Sequence, residues 1–221
     1  MISFSFVGFI DILGFSDLVI RDCESAAPGE MHLPSLKSAI HAALAIAEAA
    51  EARISQFSDS IVVAAPFYPE AGKLEQFLVL SKELQANLFK AGILCRGGVS
   101  HGRHFHDETI LFSQGLIEAY QLESAVARNP RIIISLDTLD LIYPSGKISD
   151  ILLLDDDGLP FIDFASGISE AELNDIMLKF RPMLKTENAS IRSKIAWLFR
   201  YINFCFPAID LPEEIQMRTA V

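Results

Sequence analysis

The order of strand-like and helix-like segments over residues 1–135 constrains the fold most strongly. Runs of β-branched and aromatic residues, such as ISFSFVGFI at 2–10, alternate with segments whose apolar residues recur at helical spacing. The order is βα-ββ-α-ββ-α-β, which favours an α+β or α/β sandwich with helices covering a mixed β-sheet, and of the two we expect the α+β class. The predicted strands are 2–10, 53–57, 61–67, 93–100, a piece beyond His101-Gly102 and 131–135, and the predicted helices are 35–52, 71–91 and 115–128.

Beyond residue 136 the pattern predicts a C-terminal hairpin followed by helices. The segment ILLLDDDGLPFIDF favours a hairpin that turns at Asp157-Gly158, and residues 169–183 and 187–204 have helical spacing. No linker-like stretch interrupts the sequence. We therefore expect a single domain over residues 1–221, with a core at about 1–135 and a C-terminal extension at about 136–221.

Composition excludes several classes of function. Eighteen basic and 29 acidic residues give a net charge of −11, which argues against nucleic-acid binding because such binding needs basic surface. A phosphorylated small molecule remains compatible if metal ions screen the repulsion. Cys23, Cys95 and Cys205 are widely spaced, and no apolar run reaches the length of a membrane span. The sequence therefore predicts a soluble, cytoplasmic protein without disulfides.

The first candidate site is the segment DILGFSD, which begins at Asp11. A carboxylate at the end of a buried strand, followed by a glycine turn into a helix, offers a metal ligand beside free main-chain N–H groups. Such groups suit phosphate oxygens. An ordinary strand-to-helix turn, with the aspartate capping the helix, explains the same pattern.

The second candidate is Asp59 in the turn QFSDS between two apolar strands. Aspartate is common at hairpin tips, so a turn residue is the simpler explanation when this motif is taken alone. If strands 2–10 and 60–66 are neighbours in one sheet, Asp11 and Asp59 converge near one edge. Two carboxylates at such a distance form a natural site for two divalent cations.

Two further motifs are less specific. The paired glycines in RGGVSHG (96–102) indicate either close approach of a ligand or partner subunit to the strand, or a β-bulge. The spacing of His101, His104 and His106 does not place all three on one face of an extended segment, which disfavours a zinc site. Dinucleotide-binding, Walker A, EF-hand and GxSxG motifs are absent from the sequence.

Four segments, taken in order, resemble the catalytic domain of class III nucleotide cyclases, and most of all the bacterial pyrimidine cyclases of antiphage (Pycsar) signalling. The resemblance implies a ferredoxin-like or polymerase-palm sheet, and a homodimer with active sites at the subunit interface. The segments are FIDILGFS (9–16), QFSDSIV (56–62), CRGGVSHG (95–102) and GLIEAYQLESAVARNPRIIIS (115–135).

The resemblance also implies roles for particular residues. Asp11 and Asp59 correspond to the two catalytic, metal-binding aspartates, and Ile12 joins them in the metal set. The turn that holds the β- and γ-phosphates is Gly14, Phe15 and Ser16. Arg96 lies in the strand that contributes to catalysis from the partner subunit, and Lys194 is a candidate contact of the triphosphate, with a solvated helix face as the alternative. Two divalent cations, Mg²⁺ or Mn²⁺, are the implied cofactors.

The sequence departs from the family pattern at four positions. Purine-specific members have a base-reading lysine where this chain has Ser55, and a base-reading aspartate where it has Phe112. The loss of this pair argues against an ordinary adenylate cyclase and is compatible with a smaller pyrimidine base. The transition-state asparagine and arginine correspond to Ala119 and Glu123 by ungapped counting. Arg103, Arg128 and Lys194 are the candidate residues for stabilising the transition state in their place.

The expected activity is conversion of UTP or CTP to the 3′,5′-cyclic monophosphate and pyrophosphate. The resemblance implies that the product is a second messenger in antiphage defence, read by a separate cyclic-nucleotide-responsive effector. Three alternatives stay open: a purine cyclase of the same fold, a catalytically silent nucleotide- or partner-binding dimer, and a metal-dependent phosphohydrolase that uses the same aspartates.

Overall fold

The computed structural model describes residues 1–25 and 31–215, and the chain divides into two compact units, residues 1–163 and 164–221. The prediction of one domain over the whole chain stays a prediction. Within the described ranges, no helix combines the length and apolar character needed to cross a membrane.

The first unit contains a mixed sheet of eight strands. Its first half is built by the βαββαβ segment of the chain, with spatial strand order β2-β3-β1-β4 and every pair antiparallel. This is the ferredoxin-like order that the sequence analysis predicted. The elements are β1 (Ser3–Ile12), α1 (Phe15–Glu24), α2 (Leu33–Ala47), β2 (Arg53–Phe57), β3 (Ser60–Pro66), α3 (Ala71–Lys90) and β4 (Cys95–His106).

The second half of the sheet extends from the other edge of β4. One new strand pairs with the end of β4, another runs parallel to its beginning, and a hairpin closes the sheet with order β4-β6-β8-β7. The hairpin is the one predicted, with Gly158 at φ 78° in its turn. The elements are β5 (Leu111–Ser113), α4 (Gln114–Gln121) with a π-helix (Leu122–Val126), β6 (Ile132–Ile134), α5 (Leu136–Ile142), β7 (Leu152–Leu154) and β8 (Pro160–Ile162).

The two faces of the sheet are covered differently. Phe6, Ile10 and Ile12 of β1 point into a large core that includes residues of α2 and α3. The residues between them, Val7 and Phe9, point to the opposite face, where a much smaller apolar cluster packs under α4. Strand alternation therefore places Asp11 on the sparsely covered face.

The second unit consists of helices, as predicted. A side-chain cap begins each of its two longer helices: the Ser169 hydroxyl accepts from the N–H of Glu172, and the Asn188 side chain accepts from the N–H groups of Ser190 and Ile191. The elements are α6 (Glu170–Phe180), a 3-10 helix (Arg181–Lys185), α7 (Ala189–Cys205) and a 3-10 helix (Glu213–Ile215).

The predicted turn at His101-Gly102 is wrong, because β4 continues through both residues to His106. β4 pairs with β1 from Cys95 to His104, so the ladder keeps the strand extended. Gly102 instead permits close contact with α4, since a Cβ there would lie 2.8 Å from the main-chain nitrogen of Gly115. The real turn follows, at Asp107, whose carboxylate accepts hydrogen bonds from the N–H groups of Thr109 and Ile110.

The paired glycines of β4 are explained by the chain's own helix packing. A Cβ on Gly98 would overlap the carbonyl oxygen of Ala119 and lie 2.7 Å from the Cβ of Leu122. The close approach that the sequence indicated therefore involves α4 and the π-helix, and β4 pairs with β1 without a bulge in this region.

Candidate active site

Asp11 and Asp59 lie at the same end of two paired strands. β1 and β3 are antiparallel neighbours with Asp11 opposite Ser60, and the main-chain N–H of Ile12 donates to the main-chain oxygen of Asp59 at 2.8 Å. The convergence that the sequence predicted on condition of this pairing is present. Ser58, in the turn before Asp59, has φ 52°, so the turn itself is tight.

The surroundings of Asp11 disfavour an uncompensated negative charge. Burial is the largest influence and raises the pKa of the Asp11 carboxyl, the guanidinium of Arg96 opposes this rise, and the charge of Asp59 adds to it. A second positive charge at this point would therefore stabilise the ionised pair.

The beginning of α1 adjoins the end of β1. Gly14 occupies the N-cap position with φ 73°, a left-handed conformation that glycine adopts without strain, and no side chain caps the helix there. The first N–H groups of any α-helix have no partner within the helix, so Phe15 and Ser16 offer main-chain donors beside the aspartates. Phe15 anchors this turn by packing its ring against the main core.

Arg96 lies directly opposite Asp11 in the β1–β4 pairing. Its Nε is 3.4 Å from Asp11 Oδ2 and 2.6 Å from Glu123 Oε1, and its Nη1 donates to the carbonyl oxygen of Ala127 at 3.4 Å. The resemblance implied that Arg96 acts from the partner subunit. That role stays a prediction; within its own chain Arg96 lies against Asp11, because the two residues are cross-strand neighbours.

Glu123 is the residue of this site that the sequence analysis did not assign. Its side chain is 3% exposed, and Oε1 makes the ion pair with Arg96 but has no partner with hydrogen-bond geometry. Burial raises the pKa of Glu123, Arg96 opposes this, and Asp11 and Asp59 add to the rise. A signal was available in the spacing, since Gly115, Ala119 and Glu123 recur every four residues on one helix face and the first two are small.

The donor set fits hard divalent cations. Mg²⁺ and Mn²⁺ prefer oxygen ligands, and Mg²⁺ is commonly held by one or two carboxylates together with substrate phosphates. Asp11 and Asp59 supply the carboxylates. The side chain of Ile12 is buried in the core, so only its main-chain carbonyl could serve a cation. Residues 1–25 and 31–215 contain no group of three or more His, Cys, Asp or Glu side chains placed to hold a metal.

Ser55 and Phe112, the two positions at which the sequence differs from the purine-specific pattern, both have uncharged side chains. The hydroxyl of Ser55 in β2 lies 3.4 Å from Nε2 of His106 at the end of β4, although the two strands are not neighbours in the sheet. Phe112 lies in β5 and is 65% exposed. Neither residue offers the cation or carboxylate that would read a purine edge.

The other candidate cations lie in different parts of the chain. Arg103 is near the far end of β4, with its guanidinium over the ring of Phe4. Arg128 is exposed and follows Ala127, whose carbonyl accepts from Arg96. Lys194 lies in α7 of the second unit, where its Nζ donates to the Ser190 hydroxyl at 2.6 Å, and its proposed contact with a triphosphate stays a prediction.

The three histidines of β4 lie on two faces of the sheet. His101 points to the main core side, 2.9 Å from the Thr138 hydroxyl, whereas the rings of His104 and His106 adjoin each other on the opposite face. This arrangement does not form a three-histidine metal site. No disulfide bond joins Cys23, Cys95 and Cys205, and Cys95 is a buried core residue.

Comparison with solved structures relates this architecture to known proteins. The dimeric guanylyl cyclase domain of the RhoGC fusion protein from the aquatic fungus Blastocladiella emersonii superposes with a TM-score of 0.50 at 16% identity, over 72% of this chain and 93% of that chain. A monomeric double mutant of the same domain gives 0.51 at 15%, over 72% and 93%. The adenylyl cyclase CyaB from P. aeruginosa gives 0.48 at 19%, over 73% and 94%.

The chain has the class III nucleotide cyclase fold. No protein-family model matches the sequence, and no curated protein matches it significantly. At these identities the solved structures establish the fold alone, so activity and substrate have to be argued from the residues of the site.

Proposed function

We propose that this protein is a nucleotide cyclase that converts UTP or CTP to the 3′,5′-cyclic monophosphate with release of pyrophosphate. The observation that carries the proposal is the pairing of Asp11 and Asp59 beside the uncapped beginning of α1. That arrangement combines a site for divalent cations with main-chain donors for a triphosphate, on a fold shared with cyclase domains.

The chain's own residues would act mainly by positioning and by charge. The reaction is an intramolecular displacement in which the ribose 3′-oxygen attacks the α-phosphorus and pyrophosphate departs. Asp11 and Asp59, with the carbonyl of Ile12, would hold two divalent cations, which would supply charge neutralisation and activation of the hydroxyl. The N–H groups of the Gly14–Ser16 turn would bind the β- and γ-phosphates, and Arg96 would neutralise charge on the phosphoryl oxygens.

A pyrimidine base is the proposed specificity. The absence of a lysine at Ser55 and of a carboxylate at Phe112 removes the pair that reads a purine in related cyclases, which supports a smaller base. Of the two pyrimidine nucleotides we propose UTP as the substrate, although no single residue distinguishes UTP from CTP. The proposed role as a second-messenger enzyme in antiphage defence, with a separate effector, rests on the resemblance to Pycsar cyclases.

A homodimer is part of the proposal. The sheet face that carries Asp11 and Asp59 also presents exposed apolar side chains: Phe57 of β2 is 62% exposed, and Ile117 and Tyr120 of α4 are each more than half exposed. Apolar side chains of this size, grouped on the sparsely covered face, support contact with a second copy of the chain.

A silent nucleotide-binding module is the second candidate, because one observation favours it. The positions of the transition-state asparagine and arginine hold Ala119, which is fully buried, and Glu123, which is paired with Arg96. Neither residue could stabilise a phosphorane as those groups do, so this role would fall on Arg96 or on the exposed Arg128.

The test is incubation of the purified protein with each of the four ribonucleoside triphosphates and Mn²⁺, with products resolved by mass spectrometry. A cyclic pyrimidine monophosphate is the expected product. Cyclic AMP or GMP would contradict the base assignment, release of phosphate without a cyclic product would indicate a phosphohydrolase, and no turnover of any triphosphate would favour the silent module.

A further inference from the structure

The charges around Arg96 form a continuous row across the active-site face. The guanidinium lies between the Asp11 carboxylate, 3.4 Å from Nε, and the buried Glu123 carboxylate, 2.6 Å from the same nitrogen. A single cation therefore serves two carboxylates, one of which belongs to the candidate metal pair. An arginine and a divalent cation cannot both neutralise Asp11 fully, so the two compete for it.

The remaining contacts of Arg96 all come from one element. Glu123 lies in the π-helix, and Ala127, whose carbonyl accepts from Nη1, is the residue that ends it. Arg96 can therefore give up its contact with Asp11, which belongs to β1, and keep both contacts with the π-helix segment. A π-helix inside an α-helix is uncommon and is frequently found at functional sites.

Glu123 has no evident reason to be buried other than this arginine. A carboxylate whose side chain is only 3% exposed is costly to place in a protein unless it is paired, and the ion pair of Oε1 with Arg96 Nε at 2.6 Å offsets that cost. The close packing of the π-helix on Gly98 holds it in place, since a Cβ on Gly98 would lie 3.2 Å from the main-chain nitrogen of Glu123. The packing of the π-helix thus keeps the buried glutamate beside Arg96, the cation that compensates its charge.

We propose that Arg96 is a resident counter-ion of Asp11 that a divalent cation displaces, and that Glu123 is a positioning residue that retains the displaced guanidinium at the edge of the site. In the metal-free protein Arg96 provides the positive charge beside Asp11 that the cation provides once it is bound. With the cation bound, Glu123 keeps Arg96 within reach of a triphosphate. The inference rests on the proposed metal-dependent function of the Asp11–Asp59 pair.

The first experiment measures Mn²⁺ binding in the absence of nucleotide, by electron paramagnetic resonance of free Mn²⁺. Arg96→Met removes the competitor and is expected to bind Mn²⁺ about tenfold more tightly than the wild type. Glu123→Gln leaves the arginine charge wholly on Asp11 and is expected to bind Mn²⁺ more weakly. Equal or weaker binding by Arg96→Met would overturn the inference.

Loss of Arg96 alone leaves Glu123 buried and unpaired, which could unfold the protein. The double variant Arg96→Met/Glu123→Gln removes both buried charges and is the second test, also expected to bind Mn²⁺ more tightly than the wild type. Thermal unfolding of each variant checks the fold. If the double variant folds and binds Mn²⁺ no better than the wild type, the inference is wrong.

The second experiment observes Arg96 directly, through the ¹⁵Nε–¹Hε NMR signal assigned by its loss in Arg96→Lys. Addition of Mg²⁺ is expected to shift this signal in the wild type while leaving it protected from solvent exchange. In Glu123→Gln the signal is expected to exchange rapidly once Mg²⁺ is bound. The positioning role would be overturned by a signal that does not shift when Mg²⁺ is added, or by one whose exchange with solvent is the same in Glu123→Gln as in the wild type.

Asp59→Asn separates this inference from the proposed function. Mn²⁺ binding that is lost in Asp59→Asn but unchanged in Arg96→Met would overturn only the counter-ion role. A wild-type protein that binds no Mn²⁺ would overturn both proposals. Displacement of Arg96 by Mg²⁺ in a protein that makes no cyclic nucleotide would uphold the inference and reject the cyclase.

Discussion

The main-chain N–H of Ile12 donates to the main-chain oxygen of Asp59 at 2.8 Å. This bond joins the end of β1 to the turn between β2 and β3, so the two carboxylates are held at one level of the sheet by the backbone. Fixing the main chain in this way means that binding a cation need order only the two side chains and not the backbone that carries them. The arrangement explains why residues 48 positions apart in the sequence can act as a pair.

Asp59→Asn is expected to abolish formation of the cyclic product, by at least about 100-fold, because the amide cannot supply the charge that a divalent cation requires. The fold should persist, since the bond from Ile12 involves only the main chain of Asp59. Product formation is measured by mass spectrometry and folding by thermal unfolding. Asp140→Asn, an exposed carboxylate on α5, is the matched control and should leave activity unchanged. Most of the activity surviving in Asp59→Asn would contradict the metal pair.

The parts of the site carried by strand ends could be predicted from the sequence. A buried apolar run that ends in a carboxylate identified Asp11, and a polar turn between two apolar runs identified Asp59. Their convergence depended on which strands pair, which local patterns do not specify. The resemblance to class III cyclases supplied that information, because the ferredoxin-like sheet that it implies makes β1 and β3 neighbours.

The surroundings of Arg96 could not be predicted in the same way. Its partner Glu123 is 27 residues away and lies in a π-helix, a local rearrangement that periodicity at 3.6 residues does not show. The glycine pair at 97–98 indicates close approach of a ligand or partner subunit, whereas in the structure α4 and its π-helix approach Gly98. The turn placed at His101-Gly102 was wrong because pairing with β1 outweighs the local preference of a glycine for turns.

Gly98→Ala is expected to destabilise the protein by about 1–3 kcal/mol, because the added Cβ would overlap α4 and nothing nearby is flexible enough to yield. The helix must move away from β4, which also draws Glu123 away from Arg96. Activity should therefore fall in protein that is still folded at low temperature. Urea denaturation measures the free energy of unfolding.

Gly72→Ala is the matched control for Gly98→Ala. Gly72 lies in α3, and a Cβ added there would have no other atom within 4 Å, so a methyl group meets no neighbour. Alanine in a helix is favoured over glycine, and we expect a gain of about 0.5–1 kcal/mol without loss of activity. If the two variants lose stability equally, close packing is not the reason for the glycine in β4.

Protonation of Asp22 is expected to lower the stability of the protein in acid, below about pH 3.9. Its carboxylate accepts hydrogen bonds from the main-chain N–H groups of His32 at 2.8 Å and Leu33 at 2.7 Å, at the beginning of α2. The His32 main-chain bond is the largest cause that lowers the pKa of Asp22. Because the pKa is lower in the folded state, the contribution is complete above the unfolded value of about 3.9 and is lost as pH falls through the folded value.

The measurement for Asp22 is urea denaturation of wild type and Asp22→Asn at a series of pH values from about 6 down to about 3. The wild type should be the more stable protein near neutrality, and its advantage should shrink as pH falls. An advantage that is constant over this range would show that the carboxylate charge plays no part, leaving only the cap geometry that asparagine preserves in part.

Ser55→Lys/Phe112→Asp is expected to shift the proposed specificity towards purines. The two substitutions restore the cation and the carboxylate that read a purine edge in related cyclases, at positions where this chain has neither. We expect the ratio of cyclic AMP or GMP to cyclic pyrimidine product to rise by at least about tenfold in a mixture of four triphosphates, the effect of a difference of about 1.4 kcal/mol. Ser55→Ala, which removes the hydroxyl without adding charge, is the control. An unchanged ratio would mean that other residues select the base.

Arg131→Ala is expected to release the β7–β8 hairpin from the rest of the sheet. The Arg131 side chain is 1% exposed and forms ion pairs with Asp155 and Asp157 in the hairpin turn. The two aspartates that lose this partner are 13% and 46% exposed, so urea denaturation should show a loss of about 1–3 kcal/mol. Asp156→Asn, an exposed neighbour in the same turn, should change stability by no more than about 0.5 kcal/mol.

The same substitution also tests how rigidly the active site is supported. The carbonyl oxygen of Arg131 accepts the N–H of Gly97 at 3.0 Å, next to Arg96. If Arg131 anchors this segment, loosening it should raise the KM for the triphosphate more than it lowers kcat, because Arg96 would be displaced from the phosphates in both ground and transition states. A stability loss with unchanged kinetics would show instead that the ladder between β1 and β4 alone holds Arg96 in place.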